Sequence, residues 1–192
     1  MASAFYYGSC WSYLLKFNPV KHWFMRKLRI LLPVLVVLII GFAGFSNYRH
    51  IRHKREMQRS IEDLPAFSFI RQDGGSFDNS GIDPAAERVL INYFNPECEH
   101  CQYMAGEFVK NAGKFEKDQL LFLTTADSLS VEKFRKTYGL DRLPGLVLLR
   151  DTKYRFAGTF GVRILPSFFI YGRDGKLIRK IAGETKIDHL EK

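Results

Sequence analysis

The stretch from residue 88 to residue 101, RVLINYFNPECEHC, decides how the rest of the chain is interpreted. Its first part, Arg88–Asn95, is largely apolar and rich in residues that favour strands, so it predicts a strand buried on both faces. Cys98 and Cys101 follow in the spacing C-x-x-C. Apolar side chains then recur at helical spacing as far as Phe115, so the cysteine pair is predicted to open a helix.

The start of a helix favours redox chemistry in a pair of thiols. Unpaired backbone N–H groups and the positive end of the helix dipole stabilise a thiolate there, and the thiolate is the nucleophile in disulfide exchange. We therefore predict that Cys98 attacks a substrate disulfide and that Cys101, one turn on, resolves the mixed disulfide. Glu99 and His100 lie between them. Their opposite charges predict opposite effects on the redox potential, unless both are simply exposed loop residues.

Two other uses of a C-x-x-C pair have to be weighed. A structural zinc site ordinarily needs four ligands, and the domain has no second such pair, so no metal ligand is predicted. A structural disulfide across so short a loop adds little stability on loop-entropy grounds. The third cysteine, Cys10, lies in the N-terminal leader. The prediction is a redox-active Cys98–Cys101 disulfide with no other cofactor.

Further strands and helices are predicted from Ile61 to the end of the chain. The predicted strands are residues 64–70, 119–125, 145–149, 167–171 and 177–181, with a hairpin signal at residues 73–77. The predicted helices run from Ser130, as N-cap, to Gly139, from Lys153 to Phe160, and from Thr185 to Lys192. Alternation of strands and helices predicts the α/β class, with a mixed central sheet flanked by helices on both faces.

A second stretch, Gly161–Ile170, reads GVRILPSFFI and is followed by GRDGK at residues 172–176. Together with the strand, the C-x-x-C pair and the helix, it resembles the thioredoxin-like superfamily. It is most similar to membrane-anchored thiol–disulfide oxidoreductases of the TlpA/ResA type and their redoxin domain, over residues 61–192. The resemblance implies a thioredoxin-like fold and a cis peptide bond before Pro166, facing the disulfide. It also implies that the backbone of Leu165 holds an extended substrate segment.

The chain departs from that family beside the first cysteine. Glu97 stands where the family often has tryptophan, which leaves substrate recognition at this position open.

The net charge of +9 is carried by the N-terminal third of the chain. Residues 1–59 contain ten Lys or Arg and one acidic residue, whereas residues 60–192 contain nineteen of each kind. A domain built to hold nucleic acid carries its basic surplus on the folded part. No nucleic-acid partner is therefore predicted.

Residues 30–48, ILLPVLVVLIIGFAGFSNY, form an uncharged and largely apolar run. As a helix this run extends about 28 Å, close to the thickness of the hydrocarbon core of a bilayer. A cleaved signal peptide is the alternative, but it has a shorter apolar region followed by small residues rather than basic ones. We predict a leader at residues 1–29, a transmembrane anchor at residues 30–48 and a basic linker at residues 49–60. Met25 before Arg-Lys-Leu-Arg favours a translation start there, with residues 1–24 untranslated.

Charge does not orient the predicted anchor, because five basic residues flank it on each side. The family resemblance implies a single-pass membrane protein with its C-terminal domain outside the cytoplasm, on the periplasmic side. It implies reduction of disulfides in exported proteins, with the haem motifs of apocytochrome c as one substrate and cytochrome c maturation as the setting. The implied partners are those exported proteins, a membrane thiol electron carrier and the lipid bilayer.

Three other functions stay open at this point. A disulfide oxidase or isomerase uses the same residues, because potential and partner set the direction of exchange. A non-enzymatic thioredoxin-like binding module needs neither cysteine. A peroxidase is less favoured, because the pattern Pro-x-x-x-Thr-x-x-Cys has Ile91 and Asn95 at its first two defined positions.

Overall fold

The computed structural model describes residues 19–191, and their side chains from residue 33 onward except at residues 50, 53 and 54. Predictions about residues 1–18, among them Cys10 and the start of the leader, lie outside the described residues. The chain divides after Arg52 into two compact units, and each is described by itself.

A long helix, α1 (Pro19–Ser60), contains both the predicted anchor and the predicted basic linker, with Pro33 inside it. Apolar side chains from Val34 to Phe45 are exposed on this helix. Among the residues whose side chains are described, no helix is long and apolar enough to cross a membrane. The anchor at residues 30–48 stays a prediction.

The unit that begins at His53 is built on one mixed sheet. Its strands are β1 (Ser68–Arg71), β2 (Ser76–Asp78), β3 (Arg88–Tyr93), β4 (Asp118–Thr124), β5 (Leu146–Arg150), β6 (Ser167–Gly172) and β7 (Leu177–Ala182). Its helices after α1 are α2 (Glu99–Lys110), α3 (Ser128–Tyr138), α4 (Phe156–Phe160) and α5 (Asp188–Glu191).

The strand order is β2-β1-β5-β4-β3-β6-β7. The three central strands β5, β4 and β3 are parallel to one another, and the outer pairings are antiparallel. This arrangement confirms the predicted mixed α/β sheet.

Two hydrophobic clusters cover the two faces of the sheet. One lies under α2 and α3 and includes Met104, Phe108 and Phe134. The other lies under α4 and includes Phe156, Phe160 and Phe169. Each fully buried aromatic side chain of this kind contributes roughly 1.5–3 kcal/mol of hydrophobic free energy. The predicted buried face is confirmed on α2 for Met104 and Phe108, and Phe115, which is also fully buried, lies beyond the end of that helix.

The first strand and the third helix begin elsewhere than predicted. Pro65 has no N–H to give to a ladder, and Leu64 donates its N–H to the Gly175 carbonyl at 2.8 Å, so β1 begins only at Ser68. The predicted N-cap Ser130 is wrong. Asp127 caps α3, because its carboxylate accepts hydrogen bonds from two free N–H groups of the first turn.

Three helices are shorter than predicted. The α2 helix ends at Lys110, because the Asn111 side chain donates to the Glu107 carbonyl at 2.9 Å and competes with the helical pattern. A separate 3₁₀ turn then carries residues 112–115. Helix α4 begins at Phe156, because Tyr154 adopts a left-handed φ of 54° that no helix accommodates. Helix α5 begins at Asp188 rather than Thr185.

Candidate redox site

The two cysteines and the segment before β6 meet at one edge of the sheet. Strand β3 ends at Tyr93, and the loop after it leads into α2. Ser167, the first residue of β6, pairs with Tyr93 in antiparallel register, so Leu165 and Pro166 lie beside the start of that loop. Leu165, Cys98 and Cys101 belong to the same hydrophobic cluster. Residues that are 64 or more positions apart in sequence thus pack against one hydrophobic cluster.

Cys98 stands at the N-cap position of α2 and is a free thiol of intermediate exposure. Its N–H donates to the Asn95 carbonyl at 3.1 Å, and its own carbonyl accepts from the Gln102 N–H at 2.9 Å. The sulfur therefore belongs to a residue at the end of a helix where free N–H groups and the helix dipole favour negative charge. The predicted position at the helix start is confirmed.

Cys101 lies one turn further on and differs strongly from Cys98. It is also a free thiol, but only 2% of its surface is exposed. Burial raises the pKa of the Cys101 thiol to about 12, and the neighbouring Cys98 adds to the rise. A hydrogen bond from the backbone of Asn95 acts against it. The pair therefore offers one reachable thiol and one that holds its proton.

Two side chains outside the C-x-x-C pair, those of Asn95 and Gln102, shape the loop that carries Cys98. Asn95 accepts a hydrogen bond from the Glu97 N–H on its side-chain oxygen at 2.9 Å, which closes a turn. The Gln102 side chain donates to the carbonyl of the buried Pro96 at 2.9 Å. Sequence analysis did not give Asn95 and Gln102 these roles. Asn95 is followed by Pro96, and an Asn-Pro pair is a turn signal from which the role of Asn95 could have been predicted.

Glu99 and His100, the predicted tuning residues, are both exposed. Glu99 lies in the first turn of α2. The His100 ring contacts Glu184 through Nδ1 and Oε2, which are 2.7 Å apart. Glu184 lies in the loop after β7, 84 residues away in sequence, and no local pattern could have identified it. The contact pairs the His100 ring with a carboxylate from a distant loop.

The peptide bond between Leu165 and Pro166 is cis, which confirms the conformation that the family resemblance implied. Pro166 is buried and Leu165 is half-buried. The Pro166 carbonyl accepts from the Gly183 N–H at 2.8 Å, and the Ser167 hydroxyl donates to the Ile164 carbonyl at 2.6 Å. These bonds fix the segment that leads into β6.

In the described part of the chain, no three His, Cys, Asp or Glu side chains come close enough together to hold a metal ion. The chemistry that these side chains can perform is thiol exchange. An accessible sulfur at a helix start can attack a disulfide, and a neighbouring sulfur can displace the product.

Comparison with known proteins places this geometry in a family. Residues 61–180 match the AhpC/TSA family. The thiol-disulfide oxidoreductase ResA of Bacillus thuringiensis (strain Al Hakam) is 30% identical over 115 residues, which cover 57% of this chain and 62% of that protein. ResA of Bacillus anthracis matches to the same extent. The chain spans about 62% of the length of these relatives.

Solved structures show the same fold at lower sequence identity. A secreted Mycobacterium tuberculosis disulfide oxidoreductase homologous to E. coli DsbE superposes with a TM-score of 0.56 at 18% identity, over 69% of this chain and 94% of that one. A thioredoxin-like protein from Aeropyrum pernix also gives 0.56, at 17% identity, over 76% and 96%. A peroxiredoxin-like protein from Aquifex aeolicus gives 0.56 at 13% identity, over 68% and 82%. The fold is thioredoxin-like, and the chain belongs to the AhpC/TSA family.

Proposed function

We propose that the chain is a membrane-tethered thiol–disulfide oxidoreductase that reduces disulfides of exported proteins through Cys98 and Cys101. The observation that carries this proposal is the unequal pair of thiols at the start of α2. Cys98 is partly exposed at the N-cap, whereas Cys101 is buried with a raised pKa. The ResA relatives, which are thiol-disulfide oxidoreductases by name, support the same activity.

The proposed reaction begins with the Cys98 thiolate. Its sulfur attacks one sulfur of the substrate disulfide, the substrate S–S bond breaks, and the leaving thiolate takes up a proton. Cys101 then loses its proton and attacks the Cys98 sulfur of the mixed disulfide. The second substrate thiol leaves, so the substrate is reduced by two electrons and a Cys98–Cys101 disulfide forms. The pair is the whole redox centre in this proposal, with no further cofactor.

The neighbouring residues are assigned supporting roles. The Leu165 backbone holds an extended substrate segment, and Pro166 shapes the surface beside the disulfide; their place directly before Ser167, which pairs with Tyr93, supports this. Glu99 and His100 tune the potential, with Glu184 offsetting the charge of His100.

The tether and the location form a separate part of the proposal. The uncharged run at residues 30–48 lies within α1, and basic residues flank it on both sides. We assign it to the lipid bilayer, with the C-terminal domain on the periplasmic side. A membrane thiol carrier then returns electrons to the oxidised pair. Fractionation tests the tether: the chain should stay with membranes in alkaline carbonate, and release into the soluble fraction contradicts it.

Cysteine variants of the full chain test the activity, all in a Cys10→Ser background that removes the third thiol. A reduced chain incubated with a disulfide-linked peptide dimer should release two peptide thiols. Cys101→Ser should release one and accumulate a covalent adduct through Cys98, visible by intact mass. Cys98→Ser should release almost none.

Three further measurements on the same variants distinguish the other functions. Equal biological activity of Cys98→Ser and wild type favours a binding module. Faster oxidation of a reduced peptide than reduction of an oxidised one favours an oxidase. Consumption of hydrogen peroxide by Cys98 favours a peroxidase.

A further inference from the structure

A separate cavity lies on the face of the sheet opposite α2. It is enclosed by β1, the end of β5 and α4, and has a volume of about 360 Å³. Neither cysteine lines it. The volume falls within the range of about 300–1,000 Å³ that is usual for small-molecule sites.

The inner wall of the cavity is aromatic. Four phenylalanine side chains line it: Phe67, Phe69, Phe156 and Phe160. Their rings form a continuous series, with centroid separations of 5.2 Å between Phe67 and Phe69, 6.0 Å between Phe69 and Phe156, and 4.0 Å between Phe156 and Phe160. Aromatic rings prefer partners that offer offset-stacked or edge-to-face contact. Phe69, Phe156 and Phe160 are 8%, 1% and 2% exposed, so the half-buried Phe67 supplies most of the ring surface that a planar aromatic guest can contact.

The rim of the cavity is basic. Lys153 and Arg155 are exposed lining residues, and neither forms an ion pair with the side chains that the structure describes. Asp151 is the one carboxylate among the lining residues. It is 2% exposed, and it accepts the Phe156 N–H at 2.7 Å, so the backbone solvates part of its negative charge. The half-buried Arg150 also lines the cavity, so three cations border it, of which Lys153 and Arg155 are exposed at the rim and available to an anion.

The backbone between the two cations is strained. Tyr154 has a φ of 54°, and it is the one residue other than glycine with a positive φ in the described chain. A left-handed conformation is unfavourable for a residue with a side chain, because the Cβ atom approaches the following carbonyl oxygen. Tyr154 changes the direction of the backbone here, and its two neighbours in sequence, Lys153 and Arg155, both line the cavity. Strain of this kind is concentrated at binding sites.

We propose that this cavity binds a small aromatic acid, with its ring system against the phenylalanine wall and its anionic group between Lys153 and Arg155. The site goes beyond the proposed thiol exchange and does not rest on it, since the cysteines lie outside the cavity. Binding should be the same in wild type and in a Cys98→Ser/Cys101→Ser variant.

Calorimetric titration of the full chain with two matched probes tests the proposal. Naphthalene-2-sulfonate carries rings and an anion, whereas naphthalene-2-sulfonamide has the same shape without the charge. The sulfonate should bind with one site per chain, about tenfold or more tighter than the sulfonamide, which is the size of effect that a single well-placed charge contact supports. Equal affinities, or no saturable binding of the sulfonate, overturn the proposal.

Variants then locate the site. K153Q/R155Q should weaken the sulfonate to the level of the sulfonamide and leave the sulfonamide unchanged. K133Q/R142Q removes two exposed cations elsewhere on the domain and is the matched control, which should bind like wild type. T159F places a ring at the rim from α4 and should abolish both probes. Equal loss in the two double variants, or unchanged binding in K153Q/R155Q, contradicts the assignment.

Discussion

At the scale of single residues, the two thiols differ because of what surrounds each sulfur. Cys98 stands at a helix end that is open to solvent, and Cys101 lies in a cluster with Met104 and Phe108. The low polarity of that cluster disfavours a buried thiolate. In the proposed reaction, the loss of the Cys101 proton is therefore the demanding event, and it becomes easier as the pH rises.

The raised pKa of Cys101 predicts how the stability of the reduced protein depends on pH. Below pH about 9 this thiol is protonated in both the folded and the unfolded chain. Above that pH the unfolded chain ionises it, while the folded chain keeps the proton up to a pKa of about 12. The contribution of the Cys101 thiol to the free energy of unfolding is thus present at neutral pH and is lost as the pH rises.

Urea unfolding of the reduced wild type and of Cys101→Ala, between pH 7 and pH about 10.5, measures this loss. The advantage of wild type over Cys101→Ala should shrink above pH about 9. A difference that stays constant over the whole range contradicts the assignment of the buried thiol.

Two ion pairs predict different costs according to their burial. Asp118 is 3% exposed on its side chain and receives two hydrogen bonds from Arg88, at 2.6 Å and 3.0 Å. Asp118→Ala leaves a poorly solvated guanidinium behind and should cost about 3 kcal/mol or more. Glu184→Ala breaks a pair whose side chains are 42% and 68% exposed, so it should cost less than about 1 kcal/mol. Similar unfolding midpoints for the two variants would refute this distinction.

Residues that carry their chemistry locally could be identified from the sequence. Cys98 and Cys101 follow from their spacing and from the strand before them, and the cis bond before Pro166 follows from the family resemblance. Glu184 could not be identified, because its meeting with His100 depends on the sheet that brings the loop after β7 beside α2. Asn95 could have been found from its turn chemistry, whereas its contact with Cys101 requires the folded loop.

At the scale of elements, caps and turn residues decide where the helices begin. Asp127 receives the N–H groups of Leu129 and Ser130 at 2.9 Å and 3.0 Å, and the Ser130 hydroxyl donates to the same carboxylate. The cap predicted from the sequence is Ser130, although Asp127, three residues earlier, is a cap type of the same propensity. Asp127 is the N-cap because its carboxylate accepts hydrogen bonds from the first free N–H groups of the helix.

This cap predicts unequal effects of two alanine substitutions. Asp127→Ala should destabilise the folded protein by about 1 kcal/mol, the usual cost of losing an N-cap. Ser130→Ala removes only one exposed hydroxyl contact and should cost less than half of that. Thermal or urea unfolding of both variants measures the difference. A larger decrease in the free energy of unfolding for Ser130→Ala would show that Ser130 is the N-cap, as the sequence predicted.

Element boundaries were missed where one residue departs from the surrounding pattern. The apolar spacing from Met104 to Phe115 is continuous, yet Asn111 divides it into an α-helix and a 3₁₀ turn. Tyr154 likewise removes three residues from the predicted start of α4. Periodicity reports which face is buried. It does not predict where one residue adopts a non-helical backbone conformation, as Tyr154 does.

At the scale of the whole molecule, the class of fold follows from alternating strands and helices, but the strand order does not. The long connection from β5 to β6 and the placement of β1 beside β5 depend on pairings between distant segments. The two hydrophobic clusters on either face of the sheet lie entirely within residues 61–190. The redoxin domain therefore contains its own core.

This location of the core predicts that residues 53–192 fold without the rest of the chain. A fragment of that length should unfold in one cooperative transition, with the same midpoint in the presence and absence of residues 1–52. Circular dichroism during urea titration measures it. A non-cooperative transition, or insolubility of the fragment alone, shows that the N-terminal part is needed for folding.

The reduction potential of the Cys98–Cys101 pair tests the central claim most directly. It is measured by thiol trapping of the full chain in dithiothreitol and glutathione buffers, in the Cys10→Ser background. We predict a value near or below about −250 mV, on the reducing side of the known range, as a protein that reduces disulfides requires. A value near about −120 mV contradicts that direction and makes the chain a disulfide donor. If no disulfide forms between Cys98 and Cys101 in any buffer, thiol exchange is not what this site does.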